Sequence, residues 1–204
     1  MNQLRVAVIG TGIIGTTLAR RFAEAGHTVI IGARNPERAD AADLTGRTGA
    51  SLATIPEALE SSDAVVWAIH GAAMADAVPA HAALLKDKTV IDATNNIGAP
   101  EMNSIDLIAE HAPAAQIYRA FNSLGWENFD DAQYGDIPGD LLYTGPEGAA
   151  QTVAETLIAA TGLRPVRVGD NDKAKIIDDL ATLWFALAFG QGMGRNLGFK
   201  ILTR

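Results

Sequence analysis

The hexapeptide Gly10-Thr11-Gly12-Ile13-Ile14-Gly15 is the first part of the chain whose spacing suggests chemistry. It follows an apolar, β-branched run, Leu4 to Ile9, that reads as a buried strand. It precedes a stretch with helical spacing (Ile14, Leu18, Phe22) that stops at Gly26. In that setting Gly10 permits a tight turn, Gly12 has no Cβ to block a pyrophosphate, and Gly15 lets the helix pack closely on the strand. The free N–H groups near Ile13 and Ile14, with the helix dipole behind them, suit an anion. The pattern predicts a dinucleotide-binding turn.

A second strand, Thr28 to Ile31, runs into Gly32-Ala33-Arg34-Asn35. Sites for an unphosphorylated adenosine ribose place an Asp or Glu near this point. Here no carboxylate appears until Glu37. The Arg34 guanidinium suits a 2′-phosphate through charge-assisted bonds, and Arg38 could add charge one turn onward. The expected cofactor is therefore NADP(H) rather than NAD(H). His70 closes a further buried strand, Ala64 to Ile69, at the edge where open α/β sheets bind ligands. It could donate to a ribose or an acceptor carbonyl, or be structural. One of Asn95 and Asn96 is expected to bind ribose hydroxyls, the alternative being a turn cap.

The elements that must position these residues alternate. Asn35-Pro36 looks like an N-cap followed by Pro at the first helical position. A short strand near Ala50 to Leu52 and a short helix, Pro56 to Ser61, come next. Ala72 to Leu85 reads as a helix with a kink at Pro79, and Thr89 to Ile91 as a strand. Gln116 to Phe121, Leu141 to Thr144 and Arg164 to Val168 read as strands, Pro146 to Ala160 as a helix, and Lys173 to Phe189 as a long apolar helix. Gly190 to Gly198 is either irregular or a second short helix. The fold class expected is α/β, a Rossmann-type, doubly wound, mostly parallel sheet with a short C-terminal helical extension. We read residues 1–204 as a single NADP-binding domain: a nucleotide-binding core over 1–120, a sheet extension over 121–170 and a helical segment over 171–204.

Composition narrows the partners. A net charge of −8 argues against a nucleic-acid or anionic-membrane surface. With no cysteine there is no disulfide, thiolate nucleophile or thiolate metal site, which fits a cytoplasmic location. The run Val6 to Ile9 is too short for a signal peptide, and Leu180 to Phe189 too short for a membrane span. His27, His81 and His111 lack metal-ligand spacing and read as surface residues, so no metal is expected. Asp170, Asp172, Asp178 and Asp179 read as helix caps rather than a metal site. Trp126, Trp184 and Phe185 could stack on an acceptor, with core or interface packing favoured. The wide apolar face of Lys173 to Phe189 predicts a homodimer in which this helix closes the acceptor site.

Several segments occur together in order: the glycine turn, Ile31 to Pro36, Ala68-Ile69-His70, Ile91 to Asn96, Ala120-Phe121-Asn122-Ser123 and Gly190 to Gly194 before Leu197 to Lys200. Over nearly the whole chain they resemble the NADP oxidoreductase, coenzyme F-420 (F420)-dependent family, and the NADPH domain of the six-transmembrane ferric reductases. The resemblance implies an oxidoreductase that passes a hydride between NADPH and a deazaflavin (F420) or a flavin such as FMN or FAD. It implies Thr11, Gly12, Ile13 and Ile14 around the pyrophosphate, and Ala33, Arg34, Asn35 and Arg38 at the 2′-phosphate. Ala68, Ile69 and His70 would border the ribose, and Thr94 and Asn95 the nicotinamide ribose. Ala120, Phe121 and Asn122 would border the nicotinamide and acceptor, with Met193 and Gly194 closing over them. His70, Asn122 and Met193 are the candidates nearest hydride transfer. The archaeal deazaflavin reductases carry His in place of Asn122 and Pro in place of Gly125, so the NADP half transfers better than the acceptor half. The alternatives are reduction of ferric chelates or of a small imine or carbonyl, and a non-catalytic NADP(H)-sensing module.

Overall fold

A computed structural model describes residues 3–204. Strands and helices alternate as β1 (Arg5–Ile9), α1 (Ile13–Glu24), β2 (Thr28–Ala33), α2 (Ala41–Thr48), β3 (Ser51–Thr54), α3 (Ile55–Glu60) and β4 (Ala64–Trp67). Then come α4 (Met74–His81), β5 (Thr89–Asp92), α5 (Ile105–His111) and β6 (Gln116–Arg119). The remainder holds α6 (Glu127–Asp130), the hairpin β7 (Gln133–Tyr134) and β8 (Ile137–Pro138), then β9 (Asp140–Thr144), α7 (Ala149–Ala160), β10 (Arg164–Gly169) and α8 (Ala174–Phe185).

Eight strands form one sheet in the order β10-β9-β6-β5-β4-β1-β2-β3. All neighbours are parallel except β6 and β9, which meet antiparallel through Arg119 and Thr144. Both faces are covered, so the central strands are continuous apolar runs: every residue of Val6 to Ile9 and of β4 is fully buried. One face packs Phe22, Phe121, Phe129, Tyr143 and Leu157; the other packs Leu59, Trp67, Val78 and Ile108. The succession reverses between β1 and β4, and a doubly wound sheet opens a crevice beyond the C-terminal ends of such strands.

The structure departs from expectation locally. Asn35-Pro36 does not begin a helix. Asn35 Oδ1 accepts the Glu37 N–H at 3.1 Å, a local turn that competes with helix, and α2 starts only at Ala41. The stretch Ala72 to Leu85 is α4 flanked by two 3₁₀ turns, with Pro79 inside it. α5, α6 and the β7–β8 hairpin went unforeseen, being too short to show a period. α8 ends at Phe185 and widens into a π turn over Ala186–Gly190. His27 is not a surface residue: it is buried, its Nδ1 accepts the Leu4 N–H at 3.3 Å, and burial pushes its pKa down. No helix among the described residues is long and apolar enough to cross a membrane.

The C-terminal segment is tied back by one carboxylate. Buried Asp140, at the start of β9, accepts from Arg164 (2.8 and 2.6 Å), Lys200 Nζ (2.9 Å) and the Ile201 N–H (2.7 Å). Burial alone would raise its carboxyl, but these donors outweigh it and hold the pKa down at about 2. A depressed carboxyl stabilises the fold above its unfolded pKa of about 4, and that stabilisation is lost as pH falls through the folded value. Protection of the 199–201 amides, taken relative to their intrinsic exchange rates, should therefore fall between about pH 4 and pH 2. Asp140→Asn should show the lowered protection already at neutral pH; protection unchanged by either treatment would contradict this anchor.

Candidate active site

The three glycines of the turn do different work. Gly10 adopts φ +136°, and a Cβ on it would lie 2.3 Å from the Ala68 carbonyl oxygen. A Cβ on Gly15 would lie 2.3 Å from the Gly10 carbonyl oxygen. Both are fixed by packing. Gly12 faces open space, with nothing within 4 Å of its would-be Cβ, and it begins α1 without a side-chain cap. The first-turn N–H groups have no intrahelical acceptor and thus form an anion seat.

Beside this turn a cavity of about 470 Å³ is lined by Thr11, Ala33, Arg34, Asn35, Arg38, Ala39 and Asp40. Arg34 is exposed. Arg38 donates to Thr11 Oγ1 at 2.6 Å and grips both oxygens of Asp40, one of them at 3.0 Å. The Arg38 hydrogen bonds hold the Asp40 carboxyl below the usual range. So a carboxylate lines the cavity beside the two guanidinium groups. The Arg38-x-Asp40 spacing was the available signal.

A second cavity, of about 270 Å³, adjoins the C-terminal ends of β4 and β5. Its wall includes Ile14, Ala68, Ile69, Asn95, Asn122, Trp126, Trp184, Phe185 and Arg195. Trp184 is also core: it is buried, and its Nε1 donates to the Leu197 carbonyl at 2.7 Å. Several expected residues stand off both cavity walls. His70 is exposed, and its Nδ1 accepts the Ala72 N–H at 3.4 Å. Thr94 is buried, its Oγ1 donating to Asp92 Oδ1 at 2.6 Å. Ala120 is buried, and Phe121 packs on Phe22 and Phe129 in the core. Strand β6 stops at Arg119, and Phe121 takes φ +63°, which turns the chain so that Asn122 reaches the wall. Met193 is 61% exposed and Gly194 has φ +82°. It is Arg195, absent from the expected set, that lines the cavity. The available signal was its being the first charged residue after Asp179.

Under the second cavity lies a buried charge cluster. Arg119 is fully buried and donates to Asp178 Oδ1 (3.0 and 2.8 Å), Asn95 Oδ1 (2.8 Å) and the Asp92 (3.1 Å) and Thr94 carbonyls. Asp92 Oδ2 lies 3.3 Å away, and that carboxylate also accepts the Thr94 and Ser104 N–H groups. Asp178 is thus an ion-pair partner, not a helix cap. Asp170, Asp172 and Asp179 pair with Arg167, Lys173 and Lys175 instead of capping. Asn122 Nδ2 donates to Asp178 Oδ1 at 3.2 Å. A carboxylate only accepts, so the amide must face it this way round. Asn122 Oδ1 is left buried and without a partner. No group of three or more His, Cys, Asp or Glu suited to a metal occurs among the described residues.

Residues 5–96 match the family described as NADP oxidoreductase coenzyme F420-dependent. The F420-dependent NADP reductase of Methanothermobacter thermautotrophicus is 30% identical over 220 residues, covering 97% of this chain and 94% of that protein. The chain belongs to the F420-dependent NADP oxidoreductase family. It is an NADP-dependent oxidoreductase. Among solved structures it is similar to a putative F420-dependent NADP reductase from Arthrobacter sp. FB24, with TM-score 0.83 and 26% identity over 98% of this chain and all of that one. A reductive aminase from Aspergillus terreus shares the fold, with TM-score 0.70 and 24% identity over 94% of this chain and 63% of that one.

The buried cluster makes a stability prediction for this oxidoreductase. Arg119→Met leaves Asp92 and Asp178 uncompensated and should lower Tm by on the order of 10 °C. Thermal unfolding followed by circular dichroism checks it, and a Tm within a degree or two of the wild type would show the cluster to be dispensable.

Proposed function

We propose that this oxidoreductase seats NADPH across the switch between β1 and β4 and delivers its hydride to a deazaflavin (F420) or flavin ring in the second cavity. The observation that carries this reading is the pairing of two unlike cavities on either side of one glycine turn. The first is cationic, with Arg34 and Arg38 for the 2′-phosphate, and Thr11, Ala33 and Asn35 around them. The second is largely apolar and aromatic, as a ring acceptor needs.

The residues fit the cofactor. The open space at Gly12 and the first-turn N–H groups of Ile13 and Ile14 would take the pyrophosphate. Ala68, Ile69 and Asn95 would border the nicotinamide ribose. Asn122 Oδ1, oriented by the bond from its own Nδ2 to Asp178 and lacking a partner, would accept an amide N–H of the nicotinamide carboxamide. When bound, NADPH supplies the hydride. The chain's own task is to align two rings and exclude water, which needs no proton-transfer dyad. The largely apolar, aromatic wall, with Arg195 its one charged side chain among the described residues, is suited to that.

The outer surface of α8 bears exposed Ile176 and Leu183, and Phe189 and Met193 follow exposed beyond it. This supports a homodimer that closes the acceptor end. A monomer by light scattering at micromolar concentration would count against it. A cytoplasmic location belongs to the same reading, on the absence of cysteine.

Arg34→Ala should weaken NADPH binding by at least about tenfold while NADH binding changes little. Equal losses for the two nucleotides would remove Arg34 from the 2′-phosphate. Loss of nicotinamide absorbance with F420, FMN, FAD or ferric chelates tests the acceptor. Tight NADPH binding without turnover on any of them would favour a sensing role.

A further inference from the structure

Among the described residues Arg195 is the only charged side chain on the wall of the second cavity. Its guanidinium is held in place. Nε donates to Glu127 Oε1, and Cζ lies 5.6 Å from the ring centroids of both Trp184 and Phe189. Its backbone carbonyl accepts Asn128 Nδ2 at 3.0 Å. The side chain is still 41% exposed, and among the described residues its two Nη groups have no hydrogen-bond acceptor. Glu127 stands off the wall, and its second oxygen, Oε2, is buried without a partner against Gly125. The pair is neutral overall, but only its cationic member lines the cavity.

We propose that Arg195 is a catalytic residue that takes up the negative charge which hydride transfer places on the acceptor ring. This rests on the ring-acceptor reading above. In the transfer the C4–H bond of the dihydronicotinamide breaks with its electron pair. A C–H bond forms at C5 of a deazaflavin, or an N–H bond at N5 of a flavin. The nicotinamide is oxidised to a cation. The acceptor ring, reduced by two electrons, is left anionic over its N1–C2=O edge until water supplies a proton. A fixed guanidinium against an otherwise uncharged wall stabilises that anion more strongly than water-screened charge does. The same guanidinium disfavours a protonated iminium substrate, which enters as a cation. Arg195 thereby selects for neutral rings that become anions.

The test uses riboflavin and 5-deazariboflavin, which carry no phosphate or carboxylate for Arg195 to bind instead. Wild type, Arg195→Met, Arg195→Lys and the double variant Arg195→Met/Glu127→Gln are titrated anaerobically with each ring, oxidised and reduced. The double variant avoids stranding Glu127, and melting curves identify variants that remain folded. Removal of the guanidinium should cut affinity for the reduced ring at least about tenfold relative to the oxidised ring, and slow single-turnover hydride transfer about 100-fold. NADPH affinity should stay within about twofold, and Lys, which keeps the charge but not the planar packing on Trp184 and Phe189, should restore part of the loss. A folded double variant with an unchanged ratio of reduced to oxidised affinity would overturn the role of Arg195 alone. A wild type that binds NADPH but neither ring would overturn the acceptor reading, and this inference with it.

Discussion

A guanidinium with no access to water governs the layout of the active-site end. Arg119 closes β6 inside the sheet, where an unpaired charge would cost several kcal/mol. Two carboxylates answer it, Asp92 at the end of β5 and Asp178 on α8. One cation facing two anions leaves acceptor sites over, and these recruit the Thr94 and Ser104 N–H groups, Asn103 and Asn122. The cluster therefore ties two strands, the loop after β5 and the C-terminal helix into one arrangement. Nearly every polar atom in it is satisfied, and the exception, Asn122 Oδ1, belongs to a residue on the cavity wall. A network this complete fixes the floor of the cavity and leaves one acceptor unpaired.

The two cavities place cations in different surroundings. Arg34 stands in solvent, where its attraction to a phosphate is screened by salt. Arg38 is already occupied by Asp40 and Thr11, so it is pre-positioned, but an arriving phosphate competes with a carboxylate for it. Arg195 rests on two aromatic rings beside an apolar wall, and its reach is set by that packing.

The parts legible in the sequence were those written locally. Continuous apolar runs marked β1 and β4, and the glycine turn named its own neighbours. Arg34 stood out because no acid came before Glu37. What escaped were residues defined by distant contacts. Arg119 looked like one member of a strand, and its partner Asp178 lies 59 residues away. Arg195 meets Glu127 across 68 residues. Phe121 sits in the right segment, but its left-handed backbone sends its side chain to the core and delivers Asn122 to the wall. No period or composition encodes which side of such a turn a residue will face.

Gly125 shows how tightly the wall of the second cavity is packed. A Cβ there would come within 2.6 Å of Glu127 Oε2 and 2.9 Å of the Trp184 ring. The Pro expected at this place from the resemblance to archaeal deazaflavin reductases could not be accommodated while Glu127 and Trp184 stay where they are. Glu127 holds Arg195, and Trp184 supports it from beneath. Gly125, Glu127, Trp184 and Arg195 are consequently one packing unit, and a change at any of them strains the others. The glycine turn makes no contact of that kind with this quartet: the atoms nearest a Cβ on Gly10 or Gly15 belong to Ala68, Ile69 and Gly10 itself.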